Sequence, residues 1–208
     1  MAEVSWVLFL AASLVVILTP GQDMILVMSR SIGQGPRAGI VTAAGVSVGL
    51  VGHTLLATLG LGALLHASEL LFQVLKLIGA AYLVYLGLRL LKTAADRHRL
   101  QAVYRRSLPR LFVEGALSNL SNPKIALFYF AFLPQFVSAA APQPALSLLT
   151  LGIVFAALTF VVKGPIGYGA GALSGWLRSH AAVLAWLNRT SGAVLIGLGV
   201  RLAFEEPR

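Results

Sequence analysis

Two apolar stretches of this sequence carry residues that a hydrocarbon environment penalises. In LTPGQDMILV (18–27), Thr19, Pro20, Gly21, Gln22 and Asp23 interrupt a run that is apolar from Val4 to Leu18 apart from Ser5 and Ser13, and apolar again from Met24 to Met28. In SNLSNPK (118–124), Asn122, Pro123 and Lys124 do the same. Proline removes a backbone donor and crowds the preceding turn, so a helix kinks or restarts there. Thr19 as N-cap, Pro20 at the first helical position and Gln22 in the place of a capping-box Glu or Gln would restart one helix; Asn122 before Pro123 would restart another. A restarted helix presents unpaired N–H groups and a partial positive charge. Deep in a membrane, that suits an anion such as a carboxylate. A plain kink with its freed carbonyls satisfied by neighbours is the simpler account of one break; two matching breaks, each with a polar cap, favour a binding site.

Charge inside a bilayer costs a few kcal/mol or more and normally faces a partner or a cavity. Asp23 and Lys124 lie just inside the two restarts. Either they pair with each other across the two halves, or Asp23 holds an ammonium or exchanges a proton while Lys124 helps to hold a carboxylate; a pair that opens on ligand arrival does both. Lys163, in VVKGPIGYGAG beside a further break at Gly164 and Pro165, either snorkels to a surface or counters Asp23 or Glu114. His53 is the one histidine in its span: it titrates near neutrality and so is a coupling candidate beside Asp23 and Lys163, or it is a packing hydrogen-bond donor. Glu114 falls near a span end, where water reaches it.

The rest of the chain supplies the frame. Of 208 residues, 58% are hydrophobic and 11% charged, with mean hydropathy +0.85, against about 25% charged in soluble domains. Apolar segments at about 4–29, 38–65, 70–91, 111–137, 145–172 and 182–203 approach or exceed the ~20 residues that cross a bilayer. The expectation is an all-α integral membrane protein of six transmembrane helices. The early charge is acidic, Glu3, and the apolar run resumes beyond Asp23, so the first segment reads as a retained span rather than a cleaved signal. Cysteine is absent, which removes disulfides and thiolate chemistry. The net charge of +9 reflects basic loops rather than nucleic-acid binding: the connection at 92–110 holds Lys92, Arg97, Arg99, Arg105, Arg106 and Arg110. By the positive-inside rule this loop is cytoplasmic and both termini lie outside.

That loop, 93–110, separates residues 1–92 from 111–208, three helices in each, with the first and fourth helices broken. GAAYLVYLGLRL (79–90) near the end of one half is echoed by GAVLIGLGVRL (192–202) in the other. An odd number of spans per half inverts the second copy, the inverted-repeat plan of many secondary transporters. Small residues in GVSVGLVG (45–52) and GYGAGALSG (167–175) suit close packing in the bundle, sliding of one repeat on the other, or a homodimer face.

LTPGQDMILV, GPRAGIVTAAGVSVG followed by His53, LKLIGAAYLVYLGLRLL and NLSNPKIALFYFAFLPQF occur in the order found in the LysE/RhtB family of bacterial amino-acid exporters, and the sequence resembles that family over almost its whole length. The resemblance implies a cytoplasmic-membrane exporter of amino acids or their derivatives, driven by proton exchange. It places the family's Pro-Gly element on Pro20 and Gly21 and its Asn-Pro-Lys element on Asn122, Pro123 and Lys124. Two departures stand out. Gln22 replaces a frequent second proline, and Thr159, with Lys163 one turn on, occupies a region of the fifth span where many members carry an acid. Loss of that acid argues against a dibasic substrate and for a neutral or carboxylate-bearing one.

These readings converge on a secondary exporter of neutral amino acids, threonine- or homoserine-like or branched-chain, working by alternating access with Thr19, Pro20, Gly21, Asp23, Asn122, Pro123 and Lys124 about the substrate. Its partners are the amino acid, protons and the bilayer, and no cofactor or metal is implied. The rivals are a membrane-embedded enzyme, for which no Ser-His-Asp set, HExxH or phosphate loop is present, and a passive channel, which needs a continuous polar face.

Overall fold

A computed structural model describes residues 6–67, 69–92, 105–137, 142–179 and 181–204. The elements of these residues are helical: α1 (Trp6–Leu18), α2 (Gln22–Gln34), α3 (Pro36–Ala67), α4 (Glu69–Lys92), α5 (Leu108–Leu120), α6 (Pro123–Leu127), a π-helical turn (Phe128–Phe132), a 3₁₀ turn (Leu133–Phe136), α7 (Pro144–Ser179) and α8 (Ala181–Phe204). Both termini and Arg97 and Arg99 of the basic loop lie outside the described residues.

The first apolar stretch is broken as expected: α1 and α2 meet at 53° and together are long and apolar enough to span. The capping differs from expectation. Gly21, not Thr19, is the N-cap of α2, the helix begins at Gln22, and Pro20 stays outside it. The Thr19 hydroxyl turns back to donate to the Val15 carbonyl at 2.5 Å, so it closes α1 instead of opening α2. Threonine in a last turn reaches the carbonyl four residues back as readily as it caps forward.

Gly35 alone separates α2 from α3. Its φ of 96° is one that a side chain disfavours, and Pro36, which bars the preceding residue from the helical region, starts α3. The fourth apolar stretch breaks after Leu120, and Asn122 caps the restart as expected. Beyond it the helix is less regular than the sequence implies: five residues of α6 give way to the π and 3₁₀ turns, where Pro134 cannot donate to the helix ladder. Pro165, by contrast, breaks nothing. α7 runs through it from Pro144 to Ser179, since one lost bond is tolerated in a long helix packed against its neighbours.

α3 and α7 each contain a window apolar enough to cross a membrane alone, with mean hydropathy 1.8 and 2.5. The most extensive packing joins α3 to α7 and α4 to α8. Gly39 meets Gly167 while Thr54 meets Gly152, so α3 and α7 run antiparallel; Gly87 meets Gly192 while Gly199 meets Ala80, so α4 and α8 do too. Gly45 seats against Phe112, and Gly49 against Ala116 and Asn119, so the small-residue stripe of 45–52 is occupied by α5, running parallel to α3. The core knits both halves together, with Phe9, Phe128, Phe132, Phe136 and Phe155 buried and Phe128 stacked on Phe155 at 4.7 Å.

Candidate functional site

The two proline breaks create matching demands. An N–H at residue 20 would normally serve the carbonyl of Val16, and one at residue 123 that of Asn119; neither proline has one. The Thr19 N–H still reaches the Val15 carbonyl at 2.9 Å, so the ladder of α1 fails at the next step. The Val16 carbonyl is taken instead by the Lys124 ammonium at 3.0 Å. The Asn119 carbonyl accepts from the Asn122 N–H at 2.9 Å and faces His53 Nε2 at 3.1 Å. A carbonyl only accepts, so Nε2 carries the proton. Each freed carbonyl is thus served by a side chain from the other half of the chain.

Between the breaks lies Asp23, 3% exposed, in the first turn of α2. Its Oδ2 accepts from Asn119 Nδ2 at 2.8 Å and from Lys163 Nζ at 3.3 Å; its Oδ1 accepts from Asn122 Nδ2 at 3.4 Å. The acid therefore pairs with Lys163 and not with Lys124, which is drawn away to Val16. Lys163, also buried, reaches Asp23 from α7, which lines the cleft with Phe155, Thr159 and Lys163 at successive turns. Asn122 serves twice: its amide donates to Asp23, and its Oδ1 caps α6 by accepting from the Lys124 N–H at 3.1 Å. The end of α6 is thereby closed by its own cap, whereas α2 has no side-chain cap.

These groups line one cavity of about 20 Å³, room for a single water. Thr19, Gly21, Gln22, Asp23, Asn122, Lys124, Thr159 and Lys163 form its polar part; Val16, Ile17, Met24, Leu50, Ile125 and Phe155 form the rest. Pro20 and Pro123 shape the breaks and are not among the lining residues. Thr159 is buried, its hydroxyl donating to the Phe155 carbonyl at 2.8 Å. Gln22 reaches from the first break to the fourth stretch, donating to Ser118 Oγ at 3.1 Å.

His53 sits behind the cleft, stacked on Tyr129 at 5.6 Å between ring centres. Thr54 donates to the Tyr129 hydroxyl at 3.2 Å, which donates to the Gly152 carbonyl at 3.3 Å. Glu114 stands apart from the cleft, paired with Arg30 at 3.0 Å and with Arg106. The Gln34 side chain bonds the Arg106 backbone on both sides, tying the end of α2 to the approach to α5.

Asn119 is the residue that sequence reasoning passed over. It was findable: it lies four residues before Pro123, whose missing N–H leaves the Asn119 carbonyl without its regular helical donor. Tyr129 and Thr54 gave no such signal in an apolar run.

Comparison with known proteins gives the chain its relatives. The LysE type translocator family model matches residues 14–206. A homoserine/homoserine lactone efflux protein of Salmonella typhimurium is 34% identical over 200 residues, 95% of each chain. An uncharacterized membrane protein of Pseudomonas aeruginosa is 33% identical over 193 residues, 90% of this chain and 89% of its own. One of Bacillus subtilis is 31% identical over 203 residues, 92% and 94%. No solved structure matches.

Proposed function

Because this chain belongs to the LysE type translocator family, a multi-pass bacterial membrane transporter and not an enzyme, we propose that it exports small neutral amino acids, threonine- or homoserine-like or branched-chain, across the cytoplasmic membrane in exchange for protons. The observation that carries the proposal is Asp23: a buried carboxylate at the meeting of both broken stretches, in the wall of the cavity they share. Asp23 takes the substrate ammonium. The uncapped N–H groups of α2 at Gly21 to Asp23 face the carboxylate, where the helix end favours negative charge. Lys124 keeps the first break open by holding Val16. The apolar wall of Ile17, Leu50, Ile125 and Phe155 accepts an uncharged side chain.

Alternating access follows from an arrangement of six spans in two inverted halves. The contacts between α4 and α8 support it. Aligning GLRL (87–90) with GVRL (199–202) makes Ala80 the counterpart of Gly192, and the contacts are Gly87 with Gly192 and Ala80 with Gly199. Each residue meets the counterpart of the other's partner, the signature of a two-fold axis. A cavity the size of one water fits a closed state, and rocking one half on the other opens it to either side. The positive-inside rule supports the orientation of this reading, with Arg105 and Arg106 on the cytoplasmic side and both termini outside.

The test is counterflow of labelled threonine, homoserine and leucine in proteoliposomes, with and without a pH gradient. An exporter shows counterflow and responds to the gradient; Asp23→Asn loses at least ~90% of the rate. Wild-type rates in an Asp23→Asn protein that folds and inserts would remove Asp23 from the mechanism, and conductance without counterflow would mean a channel.

A further inference from the structure

We infer that the buried Asp23–Lys163 ion pair is a template for a zwitterion: the substrate inserts into it, its ammonium replacing Lys163 on Asp23 and its carboxylate taking the ammonium that Lys163 frees. The inference rests on the exporter reading and deepens it, from an amino acid in general to a substrate that must carry both charges.

Asp23 already holds three N–H donors, and the cavity beside it has room for one water. A second cation on one buried carboxylate leaves a positive charge unpaired, so an entering ammonium takes Asp23 by displacing the cation already there. Asn122 is anchored at its other end by capping α6, and neither Asn122 nor Asn119 carries a charge that an ammonium could replace. Lys163 is held by Asp23 from the end of a flexible four-carbon stem, so Lys163 is the donor that yields. A buried ammonium without a counter-charge is costly. An α-amino acid carries the remedy on the same carbon as its own ammonium. After insertion every charge is paired again, whereas an amine without a carboxylate strands Lys163 and a carboxylate without an amine strands Asp23.

Lys124, the other lysine of the lining, is not equivalent. Its ammonium replaces the backbone donor that Pro20 lacks, 3.0 Å from the Val16 carbonyl, and moving it orphans that carbonyl.

Three related compounds test this: homoserine, its carboxylate-free counterpart 3-aminopropan-1-ol and its amine-free counterpart 4-hydroxybutanoate. The reading is the concentration of each that half-maximally raises the unfolding temperature of the detergent-purified full chain. In the native protein homoserine acts at least about tenfold below the other two. Lys163→Gln shifts the preference to 3-aminopropan-1-ol, Asp23→Asn shifts it to 4-hydroxybutanoate, and Lys124→Gln leaves homoserine preferred. A lost bond network weakens all three compounds together and does not invert their order. Where one variant does not fold, the other decides. Retention of the tenfold preference by a folded Lys163→Gln or Asp23→Asn overturns the inference, as does inversion in Lys124→Gln instead. A native protein that binds none of the three, but shows counterflow of other zwitterionic amino acids, is retested with its own substrate's amine and acid counterparts under the same criteria. A native protein that shows no counterflow of any amino acid overturns the exporter reading and this inference with it.

Discussion

Replacing Lys124 by methionine tests whether a side chain from one half of the protein substitutes for the backbone donor missing in the other. The regular ladder of α1 ends with the Thr19 N–H on Val15, and the next carbonyl, Val16, has the Lys124 ammonium at 3.0 Å. Lys124→Met leaves that carbonyl without this donor, a cost of about 1–3 kcal/mol for a buried acceptor. Part of it is hidden, because removing a buried charge is itself favourable. The double-mutant cycle with Pro20→Ala separates the two. Alanine restores an N–H at the next step of the ladder, so the carbonyl no longer depends on Lys124. The expected coupling is about 2 kcal/mol, or about 4–8 °C in unfolding midpoint for a chain of this size. The assay is thermal unfolding of the four purified proteins in detergent, followed by tryptophan fluorescence. Single-variant shifts that add in the double variant to within about 0.5 kcal/mol would refute the idea that Lys124 serves the Pro20 break.

The mirror case is milder: His53→Phe removes one of two donors on the Asn119 carbonyl and lowers stability by about 1 kcal/mol, while His53→Gln recovers part of it in the same melts. Gln22→Pro leaves stability within about 0.5 kcal/mol, because position 22 opens α2 where proline fits and no helix bond is lost; a larger loss in thermal unfolding would make the Ser118 contact structural. Gly87→Leu places a side chain where even a Cβ lies 2.6 Å from the Gly192 carbonyl, so it destabilises by about 1–3 kcal/mol or more, seen as loss of folded protein in size-exclusion profiles. Glu114→Gln, outside the cleft, weakens the pairing with Arg30 and Arg106 while leaving the homoserine preference in binding assays unchanged.

The sequence by itself determined the helical membrane class, the two breaks, the cap at Asn122 and the concentration of polar residues at those breaks. These follow from local rules: apolar length, a proline's missing N–H, an asparagine's reach of two residues. It also made Gln22 a puzzle that the structure resolves, since the first position of a helix admits glutamine and proline alike. Where local rules allow two outcomes, tertiary packing chose. Thr19 could cap forward or bond back, and it bonds back to Val15. Pro165 could break α7, and it does not, because Gly167 beyond it is seated on Gly39 of α3. Asp23 had two lysines within reach of argument, and pairs with Lys163 because Val16 claims Lys124 and α7 delivers Lys163 to the cleft. That pairing joins residues 140 positions apart. No periodicity or spacing encodes it; it exists only once α2, the fourth stretch and α7 pack around one buried carboxylate that must be satisfied.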